Sequence, residues 1–278
     1  MRRLLKQTGG LSRNPNSTKY YVSSCSPEWI HIKKELKIAH DMRDIDIQKS
    51  QILIGTMLSN DIVVKIGDSN DLTNEYTIAQ QIKKFKGFVK FYCFFTCQDN
   101  FREFFKGQRI HLCKGTGTSM KVIIMPFYPL GSIASYKWSE SNIHILRSCL
   151  YVACLCYIDA YRDRGFIHND FHVANILLKP TKQSHLLFSG NLKTELYGIR
   201  PWIMDFEKSQ IDSHTKKGYE DFKYDLSKLF FLLPTLIKEI DRAIILNIPA
   251  YLQSISDICS DQSRHALGEI IVKNIRVQ

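Results

Sequence analysis

The sequence lacks the features that mark several large classes of protein. None of its eight cysteines stands in a paired CxxC spacing, so we expect neither a zinc site nor a disulfide framework, and an intracellular, reducing compartment fits best. No apolar run approaches the ~20 residues of a membrane span, so no membrane partner is expected. The first 27 residues contain no acidic side chain and no continuous apolar core of a secretory signal, which predicts a basic flexible arm over residues 1–27.

The charge balance is basic but not concentrated in one segment. The chain has 38 Lys and Arg against 27 Asp and Glu, a net charge of +11, and the excess is spread over both halves. Such a balance suits an anionic cofactor or an acidic surface, and it also suits plain solubility. Binding to nucleic acid is therefore not indicated beyond the net basic charge.

The first half of the chain has the pattern of an antiparallel sheet with one helix. Two β-branched runs, QILIGTML and IVVKIG, flank the turn-like SND and predict a hairpin. A helical stripe of apolar residues follows, and then two further apolar runs predict strands. The predicted elements are strands at 51–58 and 62–67, a helix at 74–85, and strands at 88–97 and 121–128.

The second half changes character, and PLGS at 129–132 marks the break. Apolar residues recur at helical spacing from 143 to 161, with Gly165 as a C-terminal stop. Short strands NILL and WIMDF (202–206) follow, and another helix begins at 224. We therefore predict three segments, namely the arm at 1–27, one domain at 28–128 and a second at 129–278.

One loop holds polar residues that a turn alone does not need. Between apolar stretches, FIHNDFHVANILL supplies Asp170 and Asn175, and Asp205 follows thirty residues later near the end of a predicted strand. Mg²⁺ prefers hard oxygen ligands and commonly takes one or two carboxylates plus phosphate oxygens. Upstream, Lys65 ends the run IVVK, and Glu75 lies early in the next helix. Phosphoryl transfer needs this combination of a carboxylate, metal ligands and a cation.

Taken in order, these motifs resemble the protein-kinase-like superfamily. The resemblance rests on VVKI, NEYTIAQQI, HNDFHVAN and DFE, with MPFYPLGS similar to the hinge and YDLSKLF similar to the helix that braces the catalytic loop. It covers roughly residues 50–237. It implies an α+β, two-lobed fold, with a small antiparallel N-lobe carrying one helix and a compact, mainly helical C-lobe.

The resemblance also implies roles for the catalytic residues and the cofactors ATP and Mg²⁺. Lys65 would hold the α and β phosphates and pair with Glu75. Asp170 would orient the acceptor hydroxyl or accept its proton. Asn175 and Asp205 would bind Mg²⁺ between the phosphates.

Further residues would support the nucleotide and the loop. Met125 would line the back of the adenine pocket, and backbone groups of Pro126, Phe127 and Tyr128 would bind the adenine edge. The same resemblance makes His168 a structural residue and Asp225 a brace beneath the loop. Asp225 also has a plainer explanation, because acids favour the first turn of any helix.

Several departures from the pattern are visible. No GxGxxG precedes the hairpin, since Gly55 is the only glycine between Gly10 and Gly67. Asn169 stands where an arginine often follows the loop His, so control through a phosphorylated activation segment is doubtful. Glu207 replaces the glycine of the metal-binding triplet, and no APE follows it.

His172 lies two residues after Asp170. A His at this position resembles the pattern of haspin-type kinases, of kinases of large DNA viruses and of small-molecule phosphotransferases. The hairpin-like insert after NILL favours the haspin-like and viral group. The leading interpretation is therefore a divergent serine/threonine protein kinase, whose partners would be ATP and a protein hydroxyl. Two alternatives stay open: an aminoglycoside- or choline-type kinase, and an inactive pseudokinase that acts as a scaffold. The tract between Leu178 and Tyr197 carries one acid, Glu195, which argues against the first alternative.

Overall fold

The chain has an α+β fold with small antiparallel sheets and a few helices. A computed structural model describes residues 20–25, 37–41, 50–57, 60–97, 102–105, 108–111, 120–188 and 193–231. Within these ranges the strands are β1 (Tyr20–Cys25), β2 (Lys37–Asp41), β3 (Ser50–Met57), β4 (Asn60–Asp68), β5 (Cys93–Cys97), β6 (Arg102–Phe105), β7 (Gln108–His111), β8 (Met120–Pro126), β9 (Ile176–Pro180), β10 (His185–Leu187), β11 (Lys193–Glu195) and β12 (Ile199–Ile203). The helices there are α1 (Ser69–Ile82), α2 (Ile143–Arg164) and α3 (Lys216–Phe231).

The chain divides into two compact units. Unit 1 comprises Met1–Ser69 and Cys93–Ile124, and unit 2 comprises Asn70–Tyr92 and Met125–Gln278. The stretch Asn70–Tyr92, which the sequence assigns to the first domain, therefore groups with the second unit. The reason is that its backbone and side chains bond to residues near β12, for example Val89 N–H to the Ile203 carbonyl at 2.9 Å. The boundaries 1–27, 28–128 and 129–278 stay predictions.

Unit 1 is built on a six-stranded sheet in the order β1-β5-β8-β4-β3-β2. The predicted hairpin is confirmed, because β3 and β4 pair in antiparallel register from Ser50↔Gly67 to Met57↔Asn60. Ile62, Val64 and Ile66 are almost completely buried, as expected for alternate positions on one face of a strand. Strands β6 and β7 form a separate two-stranded antiparallel ladder.

Strand β1 lies inside the segment predicted to be a flexible arm. Its aromatic and β-branched residues suit a strand, and it pairs with β5 from Tyr20↔Cys97 to Cys25↔Cys93. The flexible-arm prediction is therefore wrong for residues 20–25. Residues 1–19 and 26–27 lie outside the described part of the chain.

The strand predicted at 88–97 begins only at Cys93. Phe88, Val89 and Phe91 are buried in unit 2, and Phe88 forms a single parallel bridge with Ile203. Their apolar character therefore serves a packed connection and not a regular strand. The predicted helix at 74–85 is confirmed as α1, although it begins five residues earlier and ends three residues earlier.

Helix α2 forms the centre of unit 2. It begins at Ile143 as predicted and ends at Arg164, where Gly165 adopts the left-handed conformation (φ 57°) and donates its N–H to the Tyr161 carbonyl at 2.7 Å. Together with the turn before it, α2 forms a helical stretch, Glu140–Arg164, that is long and apolar enough to cross a membrane, but two-thirds of its apolar window is buried inside the protein. That burial is typical of a core helix.

Two small ladders complete unit 2. Strands β9 and β12 pair antiparallel from Ile176↔Ile203 to Pro180↔Ile199. Between them β10 and β11 form the hairpin that the sequence predicts, with Leu186 opposite Thr194. The sequence predicts a strand at 202–206 that ends near Asp205. In the structure β12 ends at Ile203, so Asp205 lies two residues beyond the strand.

Aromatic side chains fill the core beneath the loop that joins α2 to β9. Tyr157 contacts Phe166, Phe171 and Phe222 with ring centroids 4.6–5.7 Å apart. Phe166 also packs edge-on against Phe88 at 5.4 Å. Such offset and edge-to-face pairs stabilise a core beyond the area that they bury. The loop therefore lies on a rigid support.

Helix α3 begins at Lys216, eight residues before the predicted start at 224. Asp225 therefore lies in the middle of the helix and is 1 % exposed. The plainer explanation, an acid in a first helical turn, is wrong. Residues 232–237 of the predicted helix lie outside the described part of the chain.

Four cysteines of the described residues differ in their state. Cys149, Cys154 and Cys156 are free and buried in α2, where they act as small apolar residues. Cys93 is disulfide-bonded, so the expectation of reduced thiols is wrong at this position.

Replacing Gly165 by Ala should destabilise unit 2. A Cβ there would lie 2.5 Å from the Ser213 backbone nitrogen, and the left-handed conformation costs an L-residue about 1–2 kcal/mol. Gly198 is the matched control, because it also has a positive φ (77°) but a Cβ there meets no atom within 4 Å. In chemical unfolding, Gly165→Ala should lose more stability than Gly198→Ala. Equal losses would mean that the close contact between residue 165 and the Ser213 backbone does not contribute to the free energy of unfolding.

Candidate functional site

The loop between α2 and β9 is held to the segment that follows Asp205. Ile167 and Gln210 exchange two backbone hydrogen bonds of 2.9 Å, as a one-pair antiparallel bridge. The Ser209 hydroxyl donates to the His168 carbonyl at 3.2 Å. The side-chain amide of Asn169 also donates, through Nδ2, to the Lys208 carbonyl at 2.8 Å. The two segments are therefore fixed to each other.

His168 is completely buried beneath this junction. Its Nε2 is 2.8 Å from the Met204 carbonyl, which requires a proton on Nε2, and its backbone N–H donates to the Tyr157 hydroxyl at 3.1 Å. Burial lowers the pKa of His168, against the opposing effects of the Met204 hydrogen bond and nearby carboxylates. A neutral imidazole that ties the loop to the residue before Asp205 is a structural arrangement.

Asp225 accepts two hydrogen bonds with one carboxylate oxygen. The Tyr157 hydroxyl donates to its Oδ2 at 2.8 Å, and the Asn169 backbone N–H donates to the same atom at 2.7 Å. Asn169 has a φ of 62°, in the left-handed region that Asn tolerates better than most residues. The carboxylate from α3 thus holds the backbone immediately before Asp170.

Asp170 lies between two lysines that come from different elements. Lys208 Nζ donates to Oδ2 at 2.9 Å, and Lys228 Nζ donates to Oδ1 at 2.6 Å. Burial alone raises the pKa of Asp170, but the hydrogen bonds and charges of the two lysines outweigh it and lower the pKa to about 2. The carboxylate is therefore ionised throughout the physiological range.

Asn175 is buried and faces back into the loop. Its Nδ2 donates to the Asp170 carbonyl at 3.0 Å and approaches His172 Nε2 at 3.3 Å. His172 Nε2 also lies 3.6 Å from Asp170 Oδ1. Burial lowers the pKa of His172, which favours the neutral ring. Because the Asn175 bonds use its nitrogen, they leave its amide oxygen, the atom that can ligate a cation, to other partners.

Asn175 and Asp205 occupy the same end of the β9–β12 ladder. Asn175 immediately precedes β9, Asp205 follows β12, and the Met204 N–H donates to the Asn175 carbonyl at 3.0 Å. On the other side of β12, Ile203 N–H donates to the Gly87 carbonyl at 2.7 Å. Asp205 has a φ of 66°, and such conformations persist where the surroundings fix them, often at functional sites.

The donors at this position fit Mg²⁺. The Asn175 amide oxygen and the Asp205 carboxylate are hard ligands, and Mg²⁺ is usually bound by one or two carboxylates with phosphate oxygens and water. Among the described residues, no group of three or more His, Cys, Asp or Glu could hold a metal ion. Mg²⁺ held by this pair alone would need phosphate oxygens or water to complete its coordination.

Lys65 and Glu75 lie in different units. Lys65 is 7 % exposed in the middle of β4, opposite Ile52, and Glu75 is fully buried in α1. Neighbouring Asn74 donates to the Glu207 carbonyl at 2.9 Å and to the Ser209 carbonyl at 3.3 Å, which fixes α1 to the segment after Asp205. The pairing of Lys65 with Glu75 stays a prediction.

The predicted adenine-binding residues are the last two residues of β8, Met125 and Pro126, and the two residues that follow it. Met125 and Tyr128 are buried, while Pro126 and Phe127 are half-buried. The Tyr128 carbonyl accepts the Gly131 N–H at 3.1 Å, and Pro126 has no N–H to donate. The role of these residues in nucleotide binding stays a prediction.

Sequence reasoning missed part of the loop's support. It did not identify Tyr157, Lys208 or Lys228 as contacts of the loop. The spacing of Asp225 and Lys228, three apart on α3, is a weak signal that both face the loop. Tyr157 lies on the apolar stripe of α2, and nothing in the stripe marks its hydroxyl.

Comparison with known proteins adds no assignment to this geometry. No protein-family model matches the chain, and no curated protein sequence matches it.

Proposed function

We propose that the chain is an ATP- and Mg²⁺-dependent phosphotransferase with a two-lobed, protein-kinase-like fold. The favoured acceptor is a serine or threonine hydroxyl of a protein. One observation carries the proposal. In unit 2, Asp170, Asn175 and the residue before Asp205 are linked by direct hydrogen bonds of 3.0 Å. A carboxylate beside two hard metal ligands is the set that transfer of a phosphoryl group requires.

The residues divide the chemistry between them. Asp170 orients the acceptor hydroxyl, and its pKa of about 2 makes it a weak base, so the hydroxyl proton leaves late. Asn175 and Asp205 would hold Mg²⁺, which neutralises phosphate charge when it is bound. Lys65 would bind the phosphates, with Glu75 as its partner. His168 and Asp225 hold the loop in position.

A second candidate keeps the fold and changes the acceptor to a small alcohol. Only the residues 206–215 separate Asp205 from α3, and most of them bond to the loop, to α1 or to the end of α2. Little of this segment remains to dock a peptide. The described chain between β9 and β12 adds only the small β10–β11 hairpin and no helix that could enclose a small substrate, so the protein acceptor is still favoured.

The proposal is tested by the transfer of labelled γ-phosphate from ATP with Mg²⁺. Basic and acidic model proteins, the protein itself and small aminoalcohols are offered as acceptors. Label on protein Ser or Thr supports the favoured acceptor, and label on an aminoalcohol supports the second candidate. No transfer together with no thermal shift by ATP would favour a scaffold without turnover.

Asp205→Asn should lose Mg²⁺-dependent nucleotide binding. The amide keeps the size of the side chain but removes the negative charge that a Mg²⁺–ATP complex needs. We expect affinity for ATP with Mg²⁺ to fall by roughly tenfold or more, while affinity for ATP with EDTA stays the same. Isothermal titration measures both. Asp212→Asn is the control, because Asp212 also has a positive φ (61°) but is exposed. Equal Mg²⁺ dependence in all three proteins would remove Asp205 from the metal site.

A further inference from the structure

The two lysines on Asp170 form an arrangement that the roles above do not explain. We name Lys208 and Lys228 the lysine clamp, since each donates to a different oxygen of the same carboxylate, at 2.9 and 2.6 Å. Lys208 directly follows the DFE triplet at 205–207, and Lys228 lies on α3. Two cations thus donate hydrogen bonds to one carboxylate, and the carboxylates of Asp205 and Glu207 also act on Lys208.

Structural stability does not require both lysines. The Asp170 side chain is 18 % exposed, and the side chains of Lys208 and Lys228 are 60 % and 30 % exposed. Ion pairs with such exposure typically contribute only 0–1 kcal/mol. One lysine would already balance the charge of Asp170. The second lysine shares this hydrogen-bonded anion. Asp205 and Glu207 also act on Lys208, but in the described part of the chain neither is hydrogen-bonded to it.

The clamp retains hydrogen-bond donors for such an anion. An ammonium group has three N–H donors, and Asp170 takes one from each lysine. Within the described part of the chain, no other acceptor lies within hydrogen-bond distance of Lys208 Nζ or Lys228 Nζ. Up to four donors therefore remain beside the carboxylate that would orient the acceptor hydroxyl.

Helix α3 determines where the N–H donors of Lys228 lie. Asp225 and Lys228 are one helical turn apart on α3, so they share a face of that helix. Asp225 binds the Asn169 backbone, and Lys228 binds the Asp170 side chain. The same helix face thus sets both the loop backbone and the position of one ammonium group.

We propose that Lys208 and Lys228 are catalytic residues that bind the phosphoryl group during its transfer. This inference rests on the proposed function. The acceptor oxygen forms a bond to the γ-phosphorus, and the bond from that phosphorus to the β–γ bridging oxygen breaks. ADP leaves with the electron pair, and the hydroxyl proton passes to Asp170 or to water. The clamp neutralises the charge on the equatorial oxygens, the place where electrostatic stabilisation acts most.

The test uses ADP, Mg²⁺ and tetrafluoroaluminate, a mimic of the phosphoryl group in transfer. Wild-type protein should bind ADP–Mg²⁺ more tightly when fluoroaluminate is present. Lys228→Gln and Lys208→Gln should each reduce this gain by roughly tenfold or more, with affinity for ADP–Mg²⁺ alone changed less than about threefold. Lys228→Arg, which keeps the charge, should restore part of the gain. Lys223→Gln, on the same helix and paired with Glu220, should have no effect.

A double-mutant cycle with Asp170→Asn distinguishes direct contact between Lys228 and the phosphoryl mimic from a role in which Lys228 only positions Asp170. If Lys228 contacts the phosphoryl mimic directly, Lys228→Gln still weakens fluoroaluminate binding in the Asp170→Asn background. If the effect vanishes in that background, Lys228 acts only through Asp170 and the inference is wrong. Unchanged fluoroaluminate binding in the Lys208→Gln/Lys228→Gln double variant, while wild type transfers phosphate, also overturns it and leaves the proposed function standing. Absence of both transfer and fluoroaluminate binding in wild type overturns both proposals.

Discussion

Asp170→Asn should reduce phosphate transfer by roughly 10²–10⁴-fold, the usual contribution of a positioned acid–base group. The amide cannot accept from both lysines, because its Nδ2 would face one ammonium group. It also cannot take the hydroxyl proton. Binding of ATP with Mg²⁺ should persist, since the predicted metal ligands Asn175 and Asp205 are unchanged.

The measurement is the initial rate of labelled phosphate transfer at saturating ATP. A thermal shift with ATP and Mg²⁺ shows that the variant is folded and binds nucleotide. Asp163→Asn serves as the matched control, because Asp163 is exposed near the end of α2 and pairs with Lys84 at 2.5 Å and not with Asp170 or its lysines. Turnover at the wild-type rate in Asp170→Asn would show that the assigned roles are wrong.

Strong local patterns made most of the elements predictable. The β3–β4 hairpin combines β-branched runs with a turn signal, and α2 combines a long apolar stripe with a glycine stop, so local preference and tertiary packing agree there. The segment Phe88–Tyr92 shows the limit. Its apolar residues are buried by side-chain packing in unit 2, and a run of apolar letters does not tell a strand from a packed connection.

The site was predictable only where its residues form a motif along the chain. Asp170 and Asn175 are five residues apart, so one loop brings them together. Lys228 meets Asp170 across 58 residues, and Tyr157 meets Asp225 across 68. Contacts over such separations depend on how α2 and α3 pack, and a single sequence does not encode that packing in any local pattern.

Asp225→Ala should give the largest loss of stability among single changes in the loop's support. Asp225 is 1 % exposed, and its Oδ2 is the acceptor for the Tyr157 hydroxyl and the Asn169 N–H. Removing it leaves the buried Tyr157 hydroxyl and the part-buried Asn169 N–H without this acceptor, at roughly 1–3 kcal/mol for a buried donor and less for a part-buried one. Removal of a buried charge offsets part of the cost, so we expect the free energy of unfolding to fall by about 3 kcal/mol. For a chain of this size that is a drop in Tm of roughly 6–12 °C.

A graded series separates the hydrogen bonds from the cavity. Asp225→Asn keeps the shape and one acceptor oxygen, so it should lose less stability than Asp225→Ala. Tyr157→Phe removes one of the two donors and also leaves the buried His168 N–H without its acceptor, so it should fall between Asp225→Asn and Asp225→Ala. Glu220→Gln, which disturbs an exposed pair with Lys223 on the same helix, should change stability by less than about 0.5 kcal/mol. Denaturant melts of the four variants measure the order.

The same series reports on activity, because Asp225 holds a strained residue. Asn169 keeps its φ of 62° beside Asp170, and the bond from its N–H to Asp225 is one of the two that fix it. Without that bond the loop can relax toward an unstrained conformation, which displaces the carboxylate of Asp170. Small displacements of a catalytic group can cost roughly 10²-fold in rate. At a temperature where Asp225→Ala is fully folded, its transfer rate should therefore still be strongly reduced. A folded variant with the wild-type rate would make Asp225 a residue of the core alone.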